Sequence, residues 1–290
     1  MHAVDDAALL IGVDFSSRPT PRKPVVVACG RTRDGDAGAH VMLDGDAGEH
    51  VMLDAVVRFP TLQSFGRWLQ ATPRWIGGFD LPFGLPRELV EQLGWPTPWP
   101  ACMDHYTALA RPAIRDTFAA FCAARPVGAK FAHRACDRPA GSSPSMKWVN
   151  PPVAYMLHAG VPLLRAAGAH LPAHEAVVAD APRIALEAYP GLLAREIVGA
   201  RSYKSDDIAK HDDARLLARL ALVDALREGH TRLGVALDID AAQHDALVDD
   251  ASGDTLDAVL CLLQAAWAAS RPRFGLPAQV DALEGWIVSA

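Results

Sequence analysis

The apolar positions of this chain fall into short alternating runs at the start and longer helical stripes at the end. "ALLIGVDFSS" and "PVVVACG" (24–30) predict two strands, since alternation with a period of two is the mark of a half-buried strand. "HVMLDAVVRF" predicts a third. "TLQSFGRWLQA" has helical spacing with Thr61 as its N-cap, and "RWIGGFDLPFGLP" is a buried strand stopped by prolines. From 84 to about 180 the chain is rich in Pro and Trp with helical pieces between, which predicts a mainly helical insertion. "RIALEAYPG" returns to strand character. "SDDIAKHDDARLLARLALVDALREG" predicts a long helix capped by Ser205 or Asp206 and stopped at Gly229. "LGVALDID" is ambiguous, and a closing helix starts near Ser252. The order predicts an α/β fold, with a mixed sheet covered by helices. The core covers about 8–83 and 181–270 of a single domain, and 84–180 is inserted.

Same-face neighbours give the first chemical clue. In "LLIGVDFS", Asp14 shares a face with Gly12 and Ser16, while Ile11, Val13 and Phe15 point the other way. In "WIGGFDL", Asp80 follows Gly78 on its face, and in "RIALEAY", Glu187 follows Ala185. A buried carboxylate needs a partner, and small neighbours leave room for one. No predicted strand offers a basic residue on the matching face, which favours a hard divalent cation. The bland readings are a turn cap for Asp14 and Asp80, and a pair with Arg183 or Arg195 for Glu187.

The last helix carries its own acids, in "VDDASGDTLDAVLCLLQAAW" (248–267). With 100° per residue, Leu256, Val259, Leu260, Leu263 and Trp267 form a core stripe, and Asp250, Asp254 and Asp257 lie beside it at roughly 100–160°. A helix dipole favours acids at this end by about 0.3–1 kcal/mol each. That accounts for one or two of them, less easily for three beside an apolar seam. Asp249 reads as a cap or surface residue, and Asp250 precedes the helix.

Composition narrows the field. The chain has 290 residues, 50% hydrophobic and 21% charged, with a formal net charge of −6, an ordinary globular composition. No run of 18 apolar residues predicts a membrane span, and the N-terminus lacks the basic region of a signal peptide. Five cysteines without a C-x-x-C pair fit a reduced, cytoplasmic protein. The decapeptides "GDAGAHVMLD" (35–44) and "GDAGEHVMLD" (45–54) match at nine of ten positions and read as a local duplication without catalytic meaning.

"GVDFS", "GFDLPFGLP", "EAYPG", "YKS", the D-x-x-D of "GDTLDAVL" and "ALEGWIV" together resemble the bacterial family called domain of unknown function 429, whose members are predicted RNase H-like nucleases. The resemblance implies an RNase H-like mixed five-stranded sheet with helices on both sides. It implies acids on the first strand, the fourth strand and the start of a C-terminal helix: Asp14, Asp80, and Asp254 with Asp257. The D-x-x-D spacing is similar to the Holliday-junction resolvase branch. Glu187 matches the family's "EAYP" without a standard role, and is kept as a catalytic candidate.

It also implies a two-metal nuclease using Mg²⁺ or Mn²⁺, with Asp14 bridging two ions about 3.5–4 Å apart, Asp80 on one and Asp254 or Asp257 on the other. Ser16 and Lys204 are substrate-side candidates, Lys204 reaching a phosphate. Between Arg111 and Lys147 lie seven basic residues against Asp116 and Asp137, flanked by Trp95, Trp99 and Trp148. Arg125, Lys130, Arg134 and Lys147 therefore predict a nucleic-acid-binding surface with base stacking. Two alternatives remain open: an actin-like ATPase or phosphotransferase, and a catalytically inactive scaffold that binds nucleic acid. The sequence leaves the oligomeric state open.

Overall fold

A computed structural model describes residues 8–33, 49–178 and 180–290. The first copy of the duplicated decapeptide and the start of the second lie outside the described residues. The early alternating runs become β1 (Leu9–Asp14), β2 (Val25–Thr32) and β3 (Glu49–Phe59). They pair antiparallel as a meander. After α1 (Leu62–Ala71), β4 (Trp75–Asp80) lies parallel to β1, and β5 (Arg183–Glu187) lies parallel to β4.

The sheet has six strands in the order β5-β4-β1-β2-β3-β6, not five. The extra strand is the ambiguous "LGVALDID", whose Val235–Asp238 forms β6 parallel to β3 at the edge. Four residues are too few for periodicity to decide; pairing with Glu49–Met52 decides it.

Both faces are covered. Ile11, Val13, Phe15, Val25, Val27 and Phe79 share one core with α1 and with α2 (Arg87–Gln92), α3 (Trp99–Ala108), α4 (Arg111–Ala123) and α6 (Val153–Ala166). The helices of the 84–180 stretch, with the short α5 (Asp137–Ala140), therefore complete a layer on that face. Leu10, Val26 and Ala28 face the opposite core. That core also holds α7 (Pro190–Val198), α8 (Asp213–Arg227), α9 (Ala241–Asp249) and α10 (Asp254–Ala269).

Thr61 caps α1 as expected, accepting from the Ser64 N–H at 3.1 Å. α8 begins later than expected. Asp207 caps a 3₁₀ turn at Ile208–Lys210, and Asp212 is the true N-cap of α8.

α10 lies directly across β1 and β4. A Cβ on Gly12 would strike the Ala258 carbonyl and the Leu262 backbone, and one on Gly78 would strike the Cys261 carbonyl. Gly12 and Gly78 are register partners. The glycines before Asp14 and Asp80 thus make room for a helix rather than for a counter-ion. Nearly all of α10 is buried as a result, acids included.

Backbone cannot yield as a flexible side chain does, so overpacking here exceeds the usual 1–3 kcal/mol. Gly12→Ala is expected to cost at least about 3 kcal/mol in urea unfolding, or to prevent folding; an unchanged midpoint would refute this packing.

Candidate metal centre

The parallel neighbours β1 and β4 send their connections to opposite sides of the sheet. β1 leads to β2 on one side, and β4 leads through the helical layer to β5 on the other. In open α/β sheets such a switch point leaves a crevice at the carboxyl ends of the strands. Asp14 and Asp80 are the last residues of their strands and register partners.

The glycine contact brings the first turn of α10 over that same edge. Carboxylate oxygens of Asp14, Asp80 and Asp257 lie within 4.8 Å of one another. Asp257 is fully buried, and Asp14 and Asp80 keep part of their surface open. Asp254 stands one turn earlier and is 8% exposed, adjoining the triad without joining it. Asp250 is excluded: its oxygens cap the turn, taking the Thr255 N–H at 2.9 Å and the Ser252 and Thr255 hydroxyls at 2.6 Å. Asp249 is exposed.

The electrostatics are strained. Burial, and then repulsion from Asp257 and Asp254, raise the Asp14 pKa well above the carboxylate range. Burial and then Asp257 push Asp80 up to about 7, and burial raises Asp254 to about 6 despite the opposing pull of Lys23. Among the described residues, none donates a hydrogen bond to the Asp14, Asp80 or Asp254 carboxylates. Asp257 alone has partners, the Tyr203 hydroxyl and the Lys204 ammonium. Burial opposes the Lys204 charge, but Asp257, Tyr203 and Asp14 raise its pKa. Buried Arg219 fixes this loop, donating to the Tyr203 carbonyl at 2.8 Å and the Val248 carbonyl at 2.6 Å. The base that strand parity did not find therefore comes from a loop. Three close all-oxygen donors with too little positive charge suit a hard divalent cation.

No family model, no curated protein and no solved structure matches this chain.

Several expectations are corrected. Glu187 is paired with Phe79 in register, so it lies on the face opposite Asp14 and Asp80. Its carboxylate is held by Arg134 at 2.6 and 2.7 Å and by the Phe83 N–H at 3.1 Å, which is a structural ion pair with a partner other than Arg183 or Arg195. Arg134 is 3% exposed and also binds Asp137 at 2.9 Å, so it forms no nucleic-acid surface. Arg125 pairs with Glu88 and lies over the Phe121 ring. Lys130 is exposed and Lys147 half-buried, and neither lines the acidic cleft. The tryptophans pack the helical layer: Trp99 donates to the Phe83 carbonyl at 2.7 Å, Trp95 packs on Tyr106 and Phe118, and Trp148 on Phe131.

The cleft over the acids encloses about 760 Å³. Its basic residues are Arg18, Lys23, Arg111 and Arg115, with Lys204 and Ser16 beside the acids. Arg111 and Arg115 belong to the basic stretch seen in the sequence. Arg18 and Lys23 were missed, because "SSRPTPRK" reads as an ordinary loop until β1 places it at the cleft.

Two predictions follow from these charges. Asp80 has a folded pKa above its unfolded value, so its contribution to stability falls as pH rises from about 4 to about 7. A full shift would carry about 4 kcal/mol; solvent in the cleft reduces this to about 2. Asp80→Asn is expected to raise the melting temperature of metal-free protein at pH 8 and to change it little at pH 4.5. Glu187→Ala leaves the Arg134 charge buried and only partly compensated, and should cost about 3 kcal/mol in urea unfolding. By calorimetry with Mn²⁺, its metal affinity should remain within about threefold of wild type, whereas a metal ligand's removal would abolish binding.

Proposed function

We propose that this protein is a metal-dependent hydrolase of phosphodiester bonds in nucleic acid. The observation that carries the reading is the meeting of Asp14, Asp80 and Asp257 from three elements, with Asp14 and Asp80 opening onto a cleft edged by arginines and lysines and Asp257 buried behind them. The acids stand on β1, on β4 and at the start of α10, as the RNase H-like resemblance implies. A mixed sheet covered by helices supports that reading, although it has six strands where the resemblance implies five.

Asp14, Asp80 and Asp257 would hold Mg²⁺ or Mn²⁺, with Asp254, one turn earlier on α10, as the candidate ligand for a second ion. Such ions lower the pKa of a water and offset negative charge on the phosphate oxygens. The chain does the rest. Arg111 is braced by the Ser17 carbonyl at 2.8 Å and by the Tyr155 ring. It keeps a fixed positive charge on the cleft wall, opposed to burial and to neighbouring Arg18, which lower its pKa. Arg18, Lys23 and Arg115 lie along the same cleft and draw in the phosphate backbone. Lys204 neutralises part of the acid charge from within, and its ammonium lies where it can reach a phosphate.

Of labelled single-stranded, duplex, hybrid and branched oligonucleotides, at least one class should be cleaved with Mg²⁺ or Mn²⁺ and not in EDTA. Asp14→Asn, Asp80→Asn and Asp257→Asn should each lower the rate by more than about a hundredfold, since even residues behind metal ligands cost 10–100-fold. Asp254→Asn should cost less. Cleavage surviving the three substitutions would overturn the site. ATP turnover without strand cleavage would favour a phosphotransferase, and tight nucleic-acid binding with neither activity would favour a scaffold.

A further inference from the structure

A second cavity opens beside the acids. It encloses about 300 Å³ and is lined by Asp80 and Lys204, which also line the main cleft. The two spaces therefore meet at the candidate metal centre. Met156 and Pro151 line both and stand between them.

The walls of this side chamber differ from those of the cleft. Leu81, Val153, Met156 and Tyr189 give it apolar sides, and Ser142 and Ser143 add hydroxyls. Ser142 is engaged with Asp137 at 3.3 Å; Ser143 makes no hydrogen bond among the described residues. The charged groups at its back, Arg134 and Glu187, are taken up by each other. Away from Asp80 and Lys204, where it meets the cleft, the chamber thus offers a partly apolar space with a hydroxyl to spare. The cleft next to it offers cations.

A phosphate fits the cleft and not the chamber. A flat, uncharged ring with hydrogen-bonding edges fits the chamber and not the cleft. One ligand class carries both parts, in adjacent positions: a nucleotide. Each of the two spaces lies in the range of pockets that enclose small ligands, roughly 300–1,000 Å³. A base stacked inside a duplex cannot enter such a space, whereas an unpaired or extruded one can.

We propose that the chamber lined by Leu81, Ser143, Val153, Met156 and Tyr189 is a nucleobase pocket, and that the substrate is an unpaired nucleotide whose phosphate lies in the adjoining cleft, against the metal that Asp14, Asp80 and Asp257 would hold. The substrate part rests on the phosphodiester reading; the base pocket does not.

Calorimetry with adenosine 5′-monophosphate and ribose 5-phosphate, each with Mn²⁺, separates the two. The nucleotide should bind at least tenfold tighter than the sugar phosphate. Ser143→Trp fills the chamber from a loop away from the acids, and should erase that margin while leaving ribose 5-phosphate binding unchanged. Val153→Phe serves the same purpose if the first variant does not fold. Equal affinity for the two ligands in the wild type, or a margin that survives a folded filled variant, overturns the pocket.

Oligonucleotides test the rest. A single strand should be cleaved at least tenfold faster than the same sequence in a duplex, and faster than a strand with an abasic site at the scissile position. Cleavage indifferent to the missing base overturns the pocket and leaves the hydrolase standing. A tenfold preference for the nucleotide with no strand cleavage supports the pocket and overturns the hydrolase.

Discussion

The structure turns on the contact between the backbone of α10 and the two glycines of the central strands. Gly12 and Gly78 sit side by side in β1 and β4, and the backbone at Ala258, Cys261 and Leu262 lies directly against them. Any side chain at either position would lift the helix from the sheet. The contact sets two things at once. It buries α10 between the sheet and the outer helices, and it fixes how far the first turn of the helix overhangs the strand ends. The distance between Asp257 and the pair Asp14–Asp80 follows from it.

That arrangement costs stability. Burial and mutual repulsion push Asp14 and Asp80 toward protonation, and the Lys204 charge opposes this only in part; its hydrogen bond, like that of Tyr203, goes to Asp257. A fold selected for stability alone would place apolar residues here, as it does elsewhere along α10. Charge gathered against its own repulsion is what an active site needs and a core does not. The loop bearing Lys204 is fixed by Arg219 and by the Ser205 N–H to the Ala251 carbonyl at 3.0 Å, so the internal cation is placed as firmly as the acids.

The helical stretch between β4 and β5 has a double role. Its inner side completes the core over Ile11, Val13 and Phe79. Its outer end supplies Arg111, Arg115, Tyr155 and Met156 to the cleft. The Arg134–Glu187 pair, with Asp137, ties this stretch to β5 from beneath, and the C-terminal segment closes over it through Glu284, which accepts the Arg87 and Ala135 N–H groups at 2.7 and 2.9 Å. Across the described residues, no helix is long and apolar enough to cross a membrane, and all five cysteines are free and buried.

The sequence by itself determined the strands β1 to β5, the α1 cap, and the candidate acids Asp14, Asp80, Asp254 and Asp257, because alternation and helical phase are local properties that a chain carries in its own spacing; only packing brought Asp257 rather than Asp254 against the other two. It also marked Gly12 and Gly78, though as space for a counter-ion. Only the tertiary structure decided the rest. Register put Glu187 on the other face, since parity within one strand says nothing of its alignment with the next. Long-range pairing made "LGVALDID" a strand, and turned Arg134 from a surface charge into a buried one. Which of the basic residues reach the acids could not be read from their crowding in sequence: helix α4 carries Arg111 and Arg115 to the cleft, the loop after β1 brings Arg18 and Lys23, and the remaining candidates point elsewhere. Proximity of charge in space is set by packing, and packing is not local.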